Sequence, residues 1–525
     1  MELWSWISDL PYSHEWSSTD SELTFPLATS TDQSLQLKAR RKFSSNSDLL
    51  AITFYVSYDE KPLWVSDTCQ VNSDKPFLPL VLQLIQEIIT RSPTAHDHSI
   101  NITPSCPRSQ LQKLKPDSVS WTLDSHSPES FSAFFNLVFL ARLFWLCACD
   151  APSEVGSLYF NSMLAPNLEA FSSAHAPVLR AFFVSGGIDV ELAIMRTFGY
   201  MLTKCLLLRE VGVGLQLLTP SYKNLGFSYA TETHGLWVLK GYTPLMAMVR
   251  SRANGINGCT PVFETKESVL KYALAHQQVE VVIQFEYSVE VKENFILVKA
   301  RVDNIRVHMA KLGFGKNEEN NIYMHERHFP SRVRVWVGPE SGASYVTSLT
   351  LGRPTDNIEK ETETQKVLKG SFGETKIPKM KAMTRTTTRT KARTWRWDQD
   401  SDGHVAIFDA TLCDNMTGVE ISTWQPYAGD DGGGGVRDQE SQSFQKRYAG
   451  ANRSFTKSGN WVFSEGLEEV KWRLNKEMEG SVLKWRIGGQ IWVSYFPNEV
   501  KSSYFETRCV EWCDEVDLPL ILGAY

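Results

Sequence analysis

Residues 279–302 read VEVVIQFEYSVEV-KEN-FILVKARV, and the reading of this stretch decides the fold class. Val281, Ile283, Phe285, Tyr287 and Val289 recur at every second position, while Glu280, Gln284, Glu286 and Glu290 mostly fill the other set. That is the period of a strand buried on one face and wet on the other. Placing Glu293-Asn294 as a two-residue turn sets Phe285 opposite Val302, Tyr287 opposite Ala300 and Val289 opposite Val298. The same register brings Glu286 against Arg301, so the apolar face and the charge pair agree.

Similar signals flank this hairpin. SRVRVWVG (331–338) offers a Val333/Val335/Val337 face, and SVLKWRIGGQIWVSYF (481–496) has a Gly488-Gly489 centre. The paired glycines predict a tight turn, with Trp485 across from Trp492. Upstream of about Pro220 the chain is mixed, with strands in LLAITFYVSY and PLWVSD and a helix in FLPLVLQLIQEIIT. The expectation is therefore α+β in two domains, since 525 residues exceed one ordinary core. Residues 1–220 form a mixed domain with apolar core helices, and 221–525 a mainly antiparallel, Trp-rich β domain. Composition marks flexible insertions near 352–381 and 428–443 and a Ser/Pro-rich loop at 93–107.

Two apolar runs test this soluble reading: FSAFFNLVFLARLFWLCAC (131–149) and ELAIMRTFGYMLTKCLLLRE (191–210). The first is long enough to span a bilayer, but Arg142 would cost about 2.5–3.5 kcal/mol near its centre. The second holds Arg196 and Lys204. Both runs read as the middle of a helical layer, with a peripheral membrane protein as the alternative.

Hydrophobic residues at 42% and charged residues at 22% describe a globular chain, and a net charge of −6 exerts no general pull on nucleic acid. Nine scattered cysteines suggest a reducing compartment, and MELWSWISDLPYSHEW has no signal-peptide character. The expected location is cytoplasmic, with the nucleus as alternative, and not secreted.

The stretch WRWDQDSDGHVAIFD (395–409) has two readings. Asp398, Asp400 and Asp402, with Gly403 and Asp409, match positions one, three, five, six and twelve of a calcium loop. Yet TWRW and VAIFDAT alternate as strands where an EF-hand needs helices. An Asp402-Gly403 turn instead pairs Trp397 with Phe408, Trp395 with Ala410 and Arg396 with Asp409, and this hairpin is preferred. Calcium stays the one ion the spacing admits, and no cofactor is predicted. In the preceding TRTTTRTKARTWRW, extended backbone puts Arg385, Arg389, Lys391 and Arg393 on one face and Thr384, Thr386, Thr388, Thr390 and Thr394 on the other. Such a strip suits a small anion or, more simply, a solvated edge strand.

Catalytic motifs are sparse. No GxSxG occurs, His325-Glu326-Arg327-His328 is one residue short of HExxH, and His96-Asp97-His98 sits in a Ser/Pro loop. The spacing of Cys509 and Cys513 suits packing within one element better than a redox pair.

Four longer segments carry a resemblance: SPESFSAFFNLVFLARLFWLCACDAPSEVGSLYF, ERHFPSRVRVWVGPE, RTWRWDQDSDGHVAIFDATLCDN and SVLKWRIGGQIWVSYFPNEVKSSYFETRCVEWCDEVDLPL. They resemble a plant family of unestablished function labelled erythronate-4-phosphate dehydrogenase family protein. The label implies NAD, a GxGxxG loop and an Arg/Glu/His catalytic set. Here Gly212-Val213-Gly214 comes nearest, with Leu217 in the third glycine position, and no motif carries the catalytic set over. The preferred function is a non-enzymatic intracellular binding or scaffold protein, engaging a protein partner or a small anionic ligand. A dehydrogenase is the alternative.

Overall fold

The computed structural model describes residues 2–13, 16, 22–29, 34–43, 50–71, 77–90, 94–95, 116–150, 176–210, 226–233, 235–248, 273–313, 328–352, 360–372, 380–392, 395–414, 418–423, 460–463, 469–496 and 506–520. Most of them lie in antiparallel β-sheet, and the helices are mostly N-terminal. The chain divides into two units. The first runs to Tyr229, beyond the expected 220, and also takes in 242–279 and 310–325. The second comprises 230–241, 280–309 and 326–525.

In the first unit, β1 (Glu22–Thr29), β2 (Ser34–Phe43), β3 (Leu50–Tyr58) and β4 (Lys61–Val65) form an antiparallel meander, and β5 (Cys69–Val71) also pairs with β3. Ile52, Phe54 and Val56 alternate inward on β3. The helices are α1 (Leu3–Asp9), α2 (Phe77–Thr90), α3 (Pro116–Ser125), α4 (Pro128–Asp150), α5 (Ala176–Gly186) and α6 (Ile188–Glu210).

On α4, Phe131, Phe134, Phe135, Val138 and Phe139 recur at helical spacing and are buried as one stripe. Trp4 of α1 meets Phe131 and Phe135 with ring centres 5.1 and 5.2 Å apart, and Phe134 meets Phe182 of α5 at 5.1 Å. The two apolar runs are thus core helices, sharing one cluster with Leu37 and Phe54 of the meander. Among the described residues, no helix is long and apolar enough to cross a membrane.

Three long strands, β8 (Leu236–Met248), β9 (Ala273–Val291) and β10 (Phe295–Gly313), contribute to both units. They belong to an eight-stranded sheet with β7 (Phe227–Thr233), β12 (Val346–Thr350) and β18 (Val470–Asn475), while β6 (Thr94–Ala95) and β17 (Asn460–Phe463) join β10. The β9–β10 hairpin turns at Glu293-Asn294 as expected. The Lys292 N–H donates to the Phe295 carbonyl at 2.9 Å, and Arg301 Nε donates to Glu286 at 2.6 Å.

A five-stranded sheet in the second unit has the order β15 (Trp395–Asp402), β16 (Val405–Leu412), β11 (His328–Pro339), β19 (Val482–Tyr495), β20 (Glu506–Pro519). Its inner face packs on the neighbouring sheet through Trp485, which meets Trp472 at 4.7 Å and Trp237 at 5.6 Å. Phe285 meets Phe408 at 6.5 Å. Part of the Trp-rich composition of this half is its core, with Trp237, Trp472 and Trp485 all fully buried.

Three sequence readings are corrected. Gly488-Gly489 is not a turn: β19 runs straight through it, pairing with β11 on one side and β20 on the other. A Cβ on Gly488 would lie 2.2 Å from the Trp336 ring, and one on Gly489 2.5 Å from Ile283 Cδ1. The glycines make room for side chains, not for a bend. Second, the β15–β16 turn is Gly403-His404, with φ of +60° at Gly403, so Trp397 pairs with Ala410 and Asp398 with Asp409. The positive φ that glycine supplies sits at the first turn position, which moves the register by two while keeping each face. Third, much of the insertion expected to be flexible at 352–381 is strand. β13 (Lys360–Phe372) pairs along its whole length with β14 (Met380–Ala392). The stretch 428–443 lies outside the described residues.

Candidate functional site

β11 occupies the centre of the five-stranded sheet. Val333, Val335 and Val337 fill its buried face, so the alternation sends Arg332, Arg334 and Trp336 to the opposite, partly open face. The ladders align that face into rows. One row runs Asp398, Asp409, Arg334, Gln490, Glu511. The next runs Arg396, Thr411, Arg332, Trp492, Cys509, and a third Asp400, Ile407, Trp336, Gly488, Cys513.

Where the first two rows meet, Asp409 receives both central guanidiniums. Arg332 Nε donates to it at 2.8 Å, and Arg334 donates through Nε at 3.0 Å and Nη2 at 2.8 Å. The Asp409 side chain is only 13% exposed, against 23% and 34% for Arg332 and Arg334. Burial alone would raise its pKa, but the hydrogen bonds from Arg332 and Arg334 outweigh it and hold the carboxyl below its ordinary value. Both guanidiniums also lie over the Trp492 ring, at 4.9 and 5.7 Å from its centre. Trp336 lies beside them over Gly488, in the space a side chain there would occupy.

Two cations sharing one carboxylate leave the Arg332–Asp409–Arg334 bridge itself with one net positive charge, on a face whose margins carry Arg396, Asp398 and Glu511. The donors are fixed before any ligand arrives, because carboxylate and indole hold each guanidinium on two sides. Nη1 of each arginine is not used by Asp409. Such a patch can bind an anionic group lying next to an aromatic or apolar one.

The calcium candidates lie at the margin of the same face. Asp398, Asp400 and Asp402 are exposed and follow one another at alternate positions of β15, which at about 3.3 Å per residue spreads them over roughly 13 Å. Asp398 is bonded to Arg396 at 3.0 Å, and Asp409 is turned to Arg332 and Arg334. Among the described residues, no group of three or more His, Cys, Asp or Glu comes together as a metal site.

Other candidates fall elsewhere. His328 opens β11 and is buried against Tyr495, where burial, then Arg508, lowers its pKa to about 3. Of His325-Glu326-Arg327-His328, only His328 is among the described residues, and it is strand. Cys509 and Cys513 lie in one element, β20, as expected, but on its exposed face and not in packing. His96, His98, Gly212, Gly214, Leu217 and His325 lie outside the described residues.

Sequence reading did not single out Arg332 and Arg334. Their signal was present in SRVRVWVG: two arginines on the polar side of a central strand require a carboxylate from a neighbour. A second polar site was also missed. Glu191, buried at the start of α6, accepts hydrogen bonds from Tyr229 and Tyr242, each at 2.6 Å. Burial, then the Glu191 charge, pushes the Tyr229 phenol well up. With both rings 3% exposed, this group ties β7 and β8 to the helical layer.

No family model and no curated protein matches the chain. Among solved structures, similarity is found to the Clostridium perfringens NetB toxin in its membrane-inserted form, at 8% identity and a TM-score of 0.20, covering 56% of this chain and 95% of that one. Clostridium perfringens delta-toxin is similar at 10% identity and a TM-score of 0.21, covering 56% and 96%. Overlap this low bears on neither fold nor activity.

Proposed function

We propose that this chain acts by binding, and that the open face of the five-stranded sheet around Arg332, Arg334, Trp336 and Trp492 is its recognition surface. The observation that carries the reading is the Arg332–Asp409–Arg334 bridge stacked on Trp492. Arginine and tryptophan are the side chains that most often dominate binding energy, and here their ordering cost falls on folding instead of on association. The partner is a protein segment with a carboxylate beside an aromatic or apolar side chain. An intracellular setting belongs to the same reading, supported by the free thiols of Cys509 and Cys513 on that face. Antiparallel ladders favour binding over the nicotinamide chemistry of the family label, which uses a doubly wound parallel sheet.

An array of acidic peptides, with and without a neighbouring aromatic residue, tests this with the full chain, Arg334→Gln and Trp492→Ala. Binding to the acid-plus-aromatic set, lost in both variants while each still melts cooperatively well above the assay temperature, is expected. Equal binding by the variants, or no binding to any acidic peptide, would refute it.

A further inference from the structure

Among the described residues, β13 and β14 pair only with each other. All 13 residues of each strand are in register, from Lys360 opposite Ala392 to Phe372 opposite Met380. A two-stranded ribbon is marginally stable in water, and among the described residues nothing pairs with the outer row of backbone N–H and C=O groups on either strand.

The two edges differ in charge. β13 carries Glu361 and Glu363 among three lysines, whereas β14 carries Lys381, Arg385, Arg389 and Lys391 and no acid. Within the ribbon, Glu361 stands opposite Lys391 and Glu363 opposite Arg389, flanked by the threonine pairs Thr362–Thr390 and Thr364–Thr388. Cations on an edge strand ordinarily discourage pairing with another edge. That holds here for β14 against β14: antiparallel pairing centred on Thr387 would set Arg385 opposite Arg389. It does not hold for β14 against β13, where the pairing already present in the ribbon puts carboxylates opposite cations.

We propose that the ribbon is a self-assembly element, in which the outer edge of β14 pairs antiparallel with the outer edge of β13 from a second copy of this chain. Repeating the intrachain register across that junction sets Glu361 and Glu363 of one copy opposite Lys391 and Arg389 of the next. Each β14 then lies between two β13 strands, and both rows of unpaired backbone groups are satisfied. Because the two edges are different surfaces, the contact is head-to-tail and yields assemblies larger than a dimer. This inference is independent of the sheet-face reading, since it uses no residue of the five-stranded sheet.

Two differently tagged full-length variants, Thr364→Cys and Thr388→Cys, test it. Positions 364 and 388 are partners in the ribbon, so with one new cysteine per chain only a contact between copies can join them. Under mild oxidation the mixture should give a disulfide-linked species carrying both tags, absent from the wild type, whose own cysteines set the background, and from either variant alone. No mixed species, or equal cross-linking in each variant alone, would overturn the proposal. Sedimentation gives a second reading: the wild type should exceed the mass of two 59.5 kDa chains. The doubly reversed Glu361→Lys/Glu363→Lys chain should fall to a monomer, and adding Arg389→Glu/Lys391→Glu should restore the assembly. A wild type that stays monomeric at high concentration, or a four-site variant that does not reassemble, would also overturn it.

Discussion

Substituting Gly488 by alanine distinguishes a glycine that makes room from one that makes a turn. The residue lies in mid-strand between β11 and β20, outside the positive-φ region, and an added methyl would sit 2.2 Å from the Trp336 ring. Ordinary carbon contacts begin near 3.5 Å, so the indole must lift off the sheet by more than an ångström. Overpacking of this kind costs about 1–3 kcal/mol. For a unit of this size that lowers the melting temperature by roughly 2–12 °C. Chemical denaturation of Gly488→Ala, Trp336→Val and the double variant measures the coupling. Removing the indole should make the alanine almost free, giving a coupling of about 1–3 kcal/mol. If the alanine costs the same in both backgrounds, the indole is not the reason for the glycine, and the account of β19 fails.

Other outcomes follow from the same geometry. Asp409→Asn should cost about 1–2 kcal/mol after allowing for solvent screening of the arginines. Because the Asp409 pKa is lowered on folding, its contribution is complete above about pH 4 and is lost as the pH falls through the depressed value. Denaturation between neutral and acid pH should therefore show a wild-type loss that is smaller in the variant. Tyr229→Phe and Tyr242→Phe should each destabilise the first unit by about 1.5–3 kcal/mol through the lost bond to Glu191. Adding Glu191→Gln to the double variant should recover part of the loss, which thermal melts can check. Calcium should give no saturable thermal shift, since Asp398, Asp400 and Asp402 are strung along one strand. A saturable shift abolished by Asp400→Ala would show that they converge on the ion.

What the sequence determined by itself was local. Alternation over 279–302 marked two strands, and a turn between adjacent segments fixed their register, so the Arg301–Glu286 pair could be read without a structure. Helical spacing of phenylalanines likewise marked α4 as a core helix. The β15–β16 hairpin was legible as a hairpin, but glycine serves either turn position, and only the backbone angle at Gly403 chose between them.

Tertiary structure decided whatever depended on a distant strand. Gly488-Gly489 has the composition of a turn, and its true cause, Trp336 and Ile283, lies some 150 to 200 residues upstream. Asp409 was read as a calcium ligand or a partner of Arg396, yet it bonds to Arg332 and Arg334, 77 and 75 residues away. Side-chain chemistry sets what a residue can bind, but strand order sets which partner is near enough, and periodicity along one strand carries no record of its neighbours.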